Sequence, residues 1–181
     1  VVKWAPGGTP KKVSLVVIQT NLPDLNIHVE ENAATVTLAS GKVTVQLSRS
    51  DGAIQYLATN GQPILKEQGA AIITPAPIAH DAKAFSVQQN FTLAPEEGIY
   101  GLGQHPDAPM NYRGAKVHLQ QENRIVAVPV LVSSRGYGVL WDNPAVTDVD
   151  VGASNPASLS WTSEAADAID YYFIYGPELD G

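Results

Sequence analysis

Proline and glycine interrupt this chain too often for a helical fold. Thirteen prolines and fifteen glycines are scattered through 181 residues, and no uninterrupted window carries apolar residues at helical spacing. Inside a helix each proline costs about 3 kcal/mol and each glycine about 1 kcal/mol relative to alanine. Between these breakers the apolar residues alternate with polar ones. Thr35-Val36-Thr37-Leu38 and Lys42-Val43-Thr44-Val45-Gln46-Leu47 both follow that pattern, which is the period of a strand with one buried face. Ser40-Gly41 reads as the hairpin turn between them. Ala53 to Leu57 and Pro63 to Leu65 follow after Ser50-Asp51-Gly52 and Thr59-Asn60-Gly61-Gln62 turns.

Further strands are expected at Ile72-Ile73, Ala84 to Leu93, Val117 to Leu119, Ile125 to Val132, Gly138 to Trp141, Leu159 to Trp161 and Ile169 to Tyr175. The expected fold class is all-β, an antiparallel β-sandwich. With no repeat, biased tract or linker, residues 1–181 are expected to form one domain. A chain this long buries roughly 70% of its unfolded surface, enough for a core without metal or disulfide staples. Val1-Val2-Lys3-Trp4 resembles the tail of a strand, so the chain looks like a cut or processed piece with an earlier strand pair missing.

Composition narrows the function. Charged residues are 16% of the chain and the net charge is −7, spread without acidic or basic blocks, a balance that repels polyphosphate and anionic lipid. Neither nucleic acid nor membrane is an expected partner. The runs Val13 to Ile18 and Ile125 to Val132 fall far short of the ~20 residues a bilayer-spanning helix needs. With no cysteine there is no disulfide, thiolate metal site or thiol nucleophile, and redox chemistry does not assign a compartment. A periplasmic or secreted location is preferred to a cytoplasmic one.

The chemistry-bearing residues do not assemble into a recognisable catalytic motif. Tyr100-Gly101-Leu102-Gly103-Gln104 has two glycines, but Pro106 stands where a dinucleotide fingerprint requires the third. The glycines read instead as a bend or bulge. A glycosidase needs two carboxyls across one cleft. Glu96, Glu97, Asp107, Glu122, Asp142, Asp148, Asp150 and Asp170 are available, most of them in turns where a solvated carboxylate is ordinary. His28, His80, His105 and His118 lack metal-ligand spacing. Ser133-Ser134-Arg135-Gly136 lacks a nucleophile elbow. No metal, cofactor or catalytic residue is therefore expected in this chain. Strand aromatics fill sandwich interiors by default. Tyr112, flanked by Asn111 and Arg113 in a Gly/Pro-rich loop, has the composition of a binding loop instead.

Several segments in order carry a family resemblance: Ile99-Tyr100-Gly101-Leu102-Gly103-Gln104, Asn111-Tyr112-Arg113-Gly114, Leu119-Gln120-Gln121-Glu122-Asn123, Ile125 to Ser133, and Gly136-Tyr137-Gly138-Val139-Leu140-Trp141-Asp142-Asn143. Together with Ile64 to Glu67 and Tyr171 to Pro177 the chain resembles the N-terminal domain of family 31 glycoside hydrolases, nearest the bacterial α-xylosidase-like members. The resemblance implies a galactose-mutarotase-like sandwich. It implies one part of a larger retaining α-glycosidase acting on α-xylosides or α-glucosides, whose catalytic (β/α)₈ barrel is the domain's partner and whose substrate is an oligosaccharide. It also implies that the stretch Met110 to Asn123 reaches the substrate pocket, with Gln121, Glu122 and Asn123 as substrate-binding residues beside Tyr112, which its loop composition nominates; Glu122 and Asn123 read equally as turn residues. Two other readings stand beside it. One is a free-standing carbohydrate-binding module using Tyr112 as its platform. The other is a mutarotase-type epimerase pairing His105 or His118 with Glu122.

Overall fold

A computed structural model describes residues 1–8, 13–18, 26–76 and 84–176. His80 lies outside the described residues. Those described form strands, turns and irregular segments, with no helix among them. One domain was expected; the chain divides into two compact units, residues 12–70 and residues 1–11 with 71–181.

The smaller unit is a five-stranded meander of β2 (His28–Glu31), β3 (Thr35–Ala39), β4 (Val43–Ser48), β5 (Ile54–Ala58) and β6 (Pro63–Lys66), hydrogen-bonded in that order. The Ser40 backbone N–H donates to Val43 O at 2.9 Å, closing the expected hairpin. Strand β2 was not expected. Its sequence, His28-Val29-Glu30-Glu31, has one apolar residue and every side chain is exposed, so it carries no alternation signal. Charge on an exposed edge strand discourages pairing with foreign chains.

The larger unit is the sandwich. One sheet runs β1 (Val2–Trp4), β15 (Ile169–Tyr175), β12 (Tyr137–Trp141), β11 (Val126–Ser133) and β9 (Ile99–Gln104). The other runs β10 (Lys116–Leu119), β13 (Thr147–Val151), β14 (Ser158–Ala166), β8 (Phe85–Thr92) and β7 (Ile72–Pro75). All pairings are antiparallel. The inner faces meet through aromatics. Trp141 stacks on Trp161 with centroids 5.7 Å apart, and Phe91 meets Tyr171 edge-on at 5.4 Å. Each such pair adds roughly 0.5–1.5 kcal/mol beyond the area it buries. Trp141 Nε1–H also donates to Ser163 Oγ at 2.9 Å, so the one polar atom of that indole is satisfied across the seam.

Strand β9 is where the glycine reading becomes concrete. Gly101, Leu102 and Gly103 have φ of 96°, 60° and 94°. The β9–β11 register shifts between Ala127 and Leu131, with Pro129 inside the irregularity, where its missing N–H costs no ladder bond. A Cβ on Gly103 would stand 1.9 Å from Val126 O, and one on Gly101 2.6 Å from Val130 O. The backbone of β11 occupies the space a side chain would need. Leu102, between them, is fully buried, so the left-handed run serves to turn one leucine into the core. Gly103→Ala is therefore expected to cost more than about 3 kcal/mol in urea unfolding. Gly7→Ala, which meets nothing within 4 Å, is expected to stay within about 0.5 kcal/mol of the parent.

Candidate functional site

The stretch Met110 to Asn123 was expected to reach the substrate pocket, and the chain enters it from Gly103. It is an exposed arc, a clamp, a strand and a hairpin turn. In the arc, Pro106 to Met110 are exposed, with Met110 at 86%. In the clamp, Asn111 Oδ1 accepts from the Ile99 and Arg113 backbone N–H groups at 3.1 and 3.0 Å. The Tyr112 N–H donates to Ile99 O at 2.8 Å. Arg113 Nη1 donates to Ala94 O and Glu97 O, at 2.9 and 3.0 Å. The motif Asn111-Tyr112-Arg113 thus fastens the arc to the start of β9 and to the turn before it.

That turn is held by a buried carboxylate. Glu97 is 2% exposed. Its Oε1 accepts from Ser133 Oγ at 2.5 Å and Tyr137 Oη at 2.6 Å, and its Oε2 from the Ala94 N–H at 2.9 Å. Burial and the adjacent carboxylate push the Tyr137 hydroxyl well above its ordinary pKa. It therefore stays protonated and keeps donating. Glu97, among the carboxyls considered for acid–base work, is a structural acceptor.

Tyr112 does not stand on an open binding surface. It is 6% exposed and meets His105 edge-on at 6.4 Å, and burial raises its hydroxyl pKa. The Gly/Pro-rich composition signalled a loop correctly, but the loop's backbone is tied down and its aromatic ring is the anchor. Nor does the fold bring Tyr112 to the other three expected residues. Gly114 N–H bonds to Val151 O at one end of β13, while Leu119 pairs with Thr147 at the other. The four residues of β10 between them span about 13 Å. Gln121, Glu122 and Asn123 lie together beyond that far end, all exposed. Glu122 and Ile125 form a bridge closing the turn. Gln121 braces it, donating from Nε2 to Ile125 O at 2.6 Å and accepting the Ala127 N–H at 3.2 Å. Asn123 and Arg124 occupy the tip.

A polar concavity of about 560 Å³ on the outward side of the β10-β13-β14-β8 sheet was missed. Two ranks of side chains cross it in register: His118, Asp148, Thr162 and Gln88, then Lys116, Asp150, Ser160 and Asn90. His118 Nδ1 and Asp148 Oδ1 are 2.7 Å apart, and Lys116 Nζ lies 3.4 Å from Asp150 Oδ2. The bond to Asp148 raises the His118 pKa, helped by Gln120. For Asp150 burial works upward, but hydrogen bonds from Ser154, Ala153 and Lys116 outweigh it and lower its pKa. A carboxyl held below its ordinary range is a poor general acid at neutral pH. Asp170, whose pKa burial raises, is on β15 in the other sheet, 2.7 Å from Lys3 Nζ.

Comparison with known proteins gives this geometry a lineage. The family of the glycosyl hydrolase 31 N-terminal galactose mutarotase-like domain matches residues 2–150. The chain belongs to that family. An α-xylosidase of Saccharolobus solfataricus is 30% identical over 92% of this chain and 23% of its own length. The α-xylosidase XylQ of Lactiplantibacillus pentosus is 27% identical over 86% of the chain and 20% of its own. The crystal structure of a family 31 α-xylosidase from Xanthomonas citri shares 40% identity, with a TM-score of 0.69, over 76% of this chain and 15% of that one. The chain thus spans less than a quarter of each of these relatives.

Within this glycosyl hydrolase 31 domain two measurements test the site's electrostatics. Glu97→Ala strands two hydroxyls and an N–H in the interior, and chemical unfolding is expected to show a loss of about 3 kcal/mol or more. A raised histidine pKa means that the ion pair with Asp148 is fully present below the ordinary value of 6.5 and is lost as pH rises through the folded value. An NMR titration of His118 is expected to give a midpoint above 6.5 that moves back toward it in Asp148→Asn.

Proposed function

We propose that this chain is the non-catalytic N-terminal domain of a retaining α-glycosidase that hydrolyses α-xylosides or α-glucosides. In this reading it packs on the catalytic barrel of the same enzyme and lends the turn between β10 and β11 to the substrate pocket. The observation that carries it is the family match over most of the chain, joined to relatives named as α-xylosidases that are more than four times longer. Glu122 and Asn123 carry exposed carboxylate and amide groups that suit hydroxyl recognition, with Arg124 beside them and Gln121 bracing the turn that holds them.

The outward side of the β1-β15-β12-β11-β9 sheet suits docking. Val130, Leu140 and Tyr172 stand side by side in register, with Val132 and Ile174 in the next rank. Ile174 is 54% exposed and Val128 38%. Near the β1 edge, Asp142 Oδ2 and Asp170 Oδ1 are buried carboxyl oxygens without a hydrogen-bond partner. The apolar ranks match a partner surface that brings apolar contact.

The purified 181-residue chain is expected to show no turnover of an aryl α-xyloside, while the whole enzyme hydrolyses it. Measurable turnover by the chain alone would overturn the non-catalytic assignment. Glu122→Ala and Gln121→Ala in the whole enzyme are expected to raise KM at least threefold more than a distant surface control does. For the docking face, Ile174→Glu is expected to leave the isolated chain within about 0.5 kcal/mol of the parent. It should lower the melting temperature of the whole enzyme.

A further inference from the structure

The outward face of the β10-β13-β14-β8 sheet differs from an ordinary solvated sheet face in three ways. First, the side chains at its middle are short. Thr162, Ser160, Asn90 and the two aspartates leave room above the backbone, where long Lys and Glu side chains would fill it, and the result is the 560 Å³ concavity. The β13–β14 connection closes one end through Ser154 and Asn155. Second, these groups are already ordered by one another. Gln88 Nε2 donates to Asn90 Oδ1 at 2.9 Å and to Ser160 Oγ at 3.0 Å, across two strands. Asp150 Oδ1 accepts the Ala153 and Ser154 N–H groups at 2.8 and 3.2 Å. A ligand meeting them pays little ordering entropy. Third, the charges balance. Lys116 and His118 stand against Asp150 and Asp148, so while His118 is protonated the face offers no net attraction to an anion or a cation.

We infer that this face is a binding site for a neutral oligosaccharide. Amide, hydroxyl and carboxylate groups in two parallel ranks are the donors and acceptors that vicinal hydroxyls pair with. Three interstrand steps of about 4.8 Å make each rank about 14 Å long, the reach of a short chain of sugars rather than one. With no Phe, Tyr or Trp lining the concavity, the face lacks a broad apolar platform. Affinity is therefore expected in the millimolar range, suited to holding a polymeric substrate near the enzyme rather than to tight capture. The ligand class rests on the glycosidase reading above; the location rests on the geometry alone.

The test is a two-dimensional ¹H–¹⁵N NMR titration of the 181-residue chain with isomaltotriose, with xylose, and with inorganic phosphate as the anionic control. Isomaltotriose is expected to shift amides on β8, β10, β13 and β14 saturably, xylose more weakly, and phosphate not at all. Asn90→Ala and Asp148→Ala, each first shown to keep the parent spectrum's dispersion, are expected to weaken isomaltotriose binding at least fivefold. Silence of these strands up to 50-fold the protein concentration and into tens of millimolar sugar would overturn the inference. So would unchanged affinity in both variants, shifts confined to residues 103–123, or binding of phosphate in preference to sugar. A whole enzyme that fails to cleave α-xylosides would sink the reading above while leaving these shifts in place, so the two fail separately.

Discussion

The stacked pair Trp141–Trp161 is the contact on which the sandwich depends. The two indoles come from different sheets and lie at 16° with no exposed surface. Trp141 also stacks on Tyr171, its register neighbour on β15, so β12, β14 and β15 are joined at one layer. The hydroxyls of Ser163 and Thr147, 2.7 Å apart, extend the bond from Trp141 Nε1 into β13. Once this layer is fixed, strand alternation fixes everything facing outward. Val130, Leu140 and Tyr172 must leave the first sheet on its outer side because Leu131, Val139 and Trp141 fill the inner one. Asp148, Asp150, Ser160 and Asn90 must leave the second because Val149, Val151, Trp161 and Phe91 fill its interior. A register slip of one residue would exchange these sets.

The second constraint is how the connections are held. The chain from β8 to β10 crosses from one sheet to the other and back through β9, so its turns carry backbone groups into partly buried surroundings. Each is answered locally. Glu97 supplies acceptors to three donors, Arg113 supplies donors to the carbonyls of Ala94 and Glu97, and Asn111 satisfies the N–H of Ile99. The cost of burying a carboxylate and a guanidinium is met by hydrogen bonds rather than by a direct ion pair between them. What stays free of such ties is most of the arc from Pro106 to Met110 and the turn tip at Asn123 and Arg124. Rigid scaffolding with short free tips is how loops present binding groups reproducibly.

Much of this was legible in the sequence. The alternation of Thr35 to Leu47 gave strands through one clear apolar face, and the runs Ile125 to Val132 and Ile169 to Tyr175 through their dense β-branched and aromatic residues. Strand β13 was not expected although Thr147-Asp148-Val149-Asp150-Val151 alternates as well as any of them. Its aspartates, good turn formers in isolation, masked the period. Strand β9 was hidden by its glycines, whose left-handed φ values are compatible with a bulged strand only when a partner backbone lies against them. Tyr112 was misplaced for a related reason. Local composition reports that a segment is a loop, whereas burial of its ring depends on Ile99 and His105, which only the fold brings near.

The polar concavity shows the deeper limit. Gln88-x-Asn90, Asp148-x-Asp150 and Ser158-x-Ser160-x-Thr162 are each visible as polar residues two apart, and each alone describes one solvated strand face. They become two aligned ranks only because β8, β14 and β13 are neighbours in an order different from their order in the chain. Pairing of strands tens of residues apart is set by the core face, through Phe91 against Leu159 and Val149 against Trp161. The polar face inherits its alignment from that apolar registry. Gln88 with Ser160 and the pairs His118–Asp148 and Lys116–Asp150 then tie that face across its strands, and the groups so ordered are the ones able to hold a sugar chain.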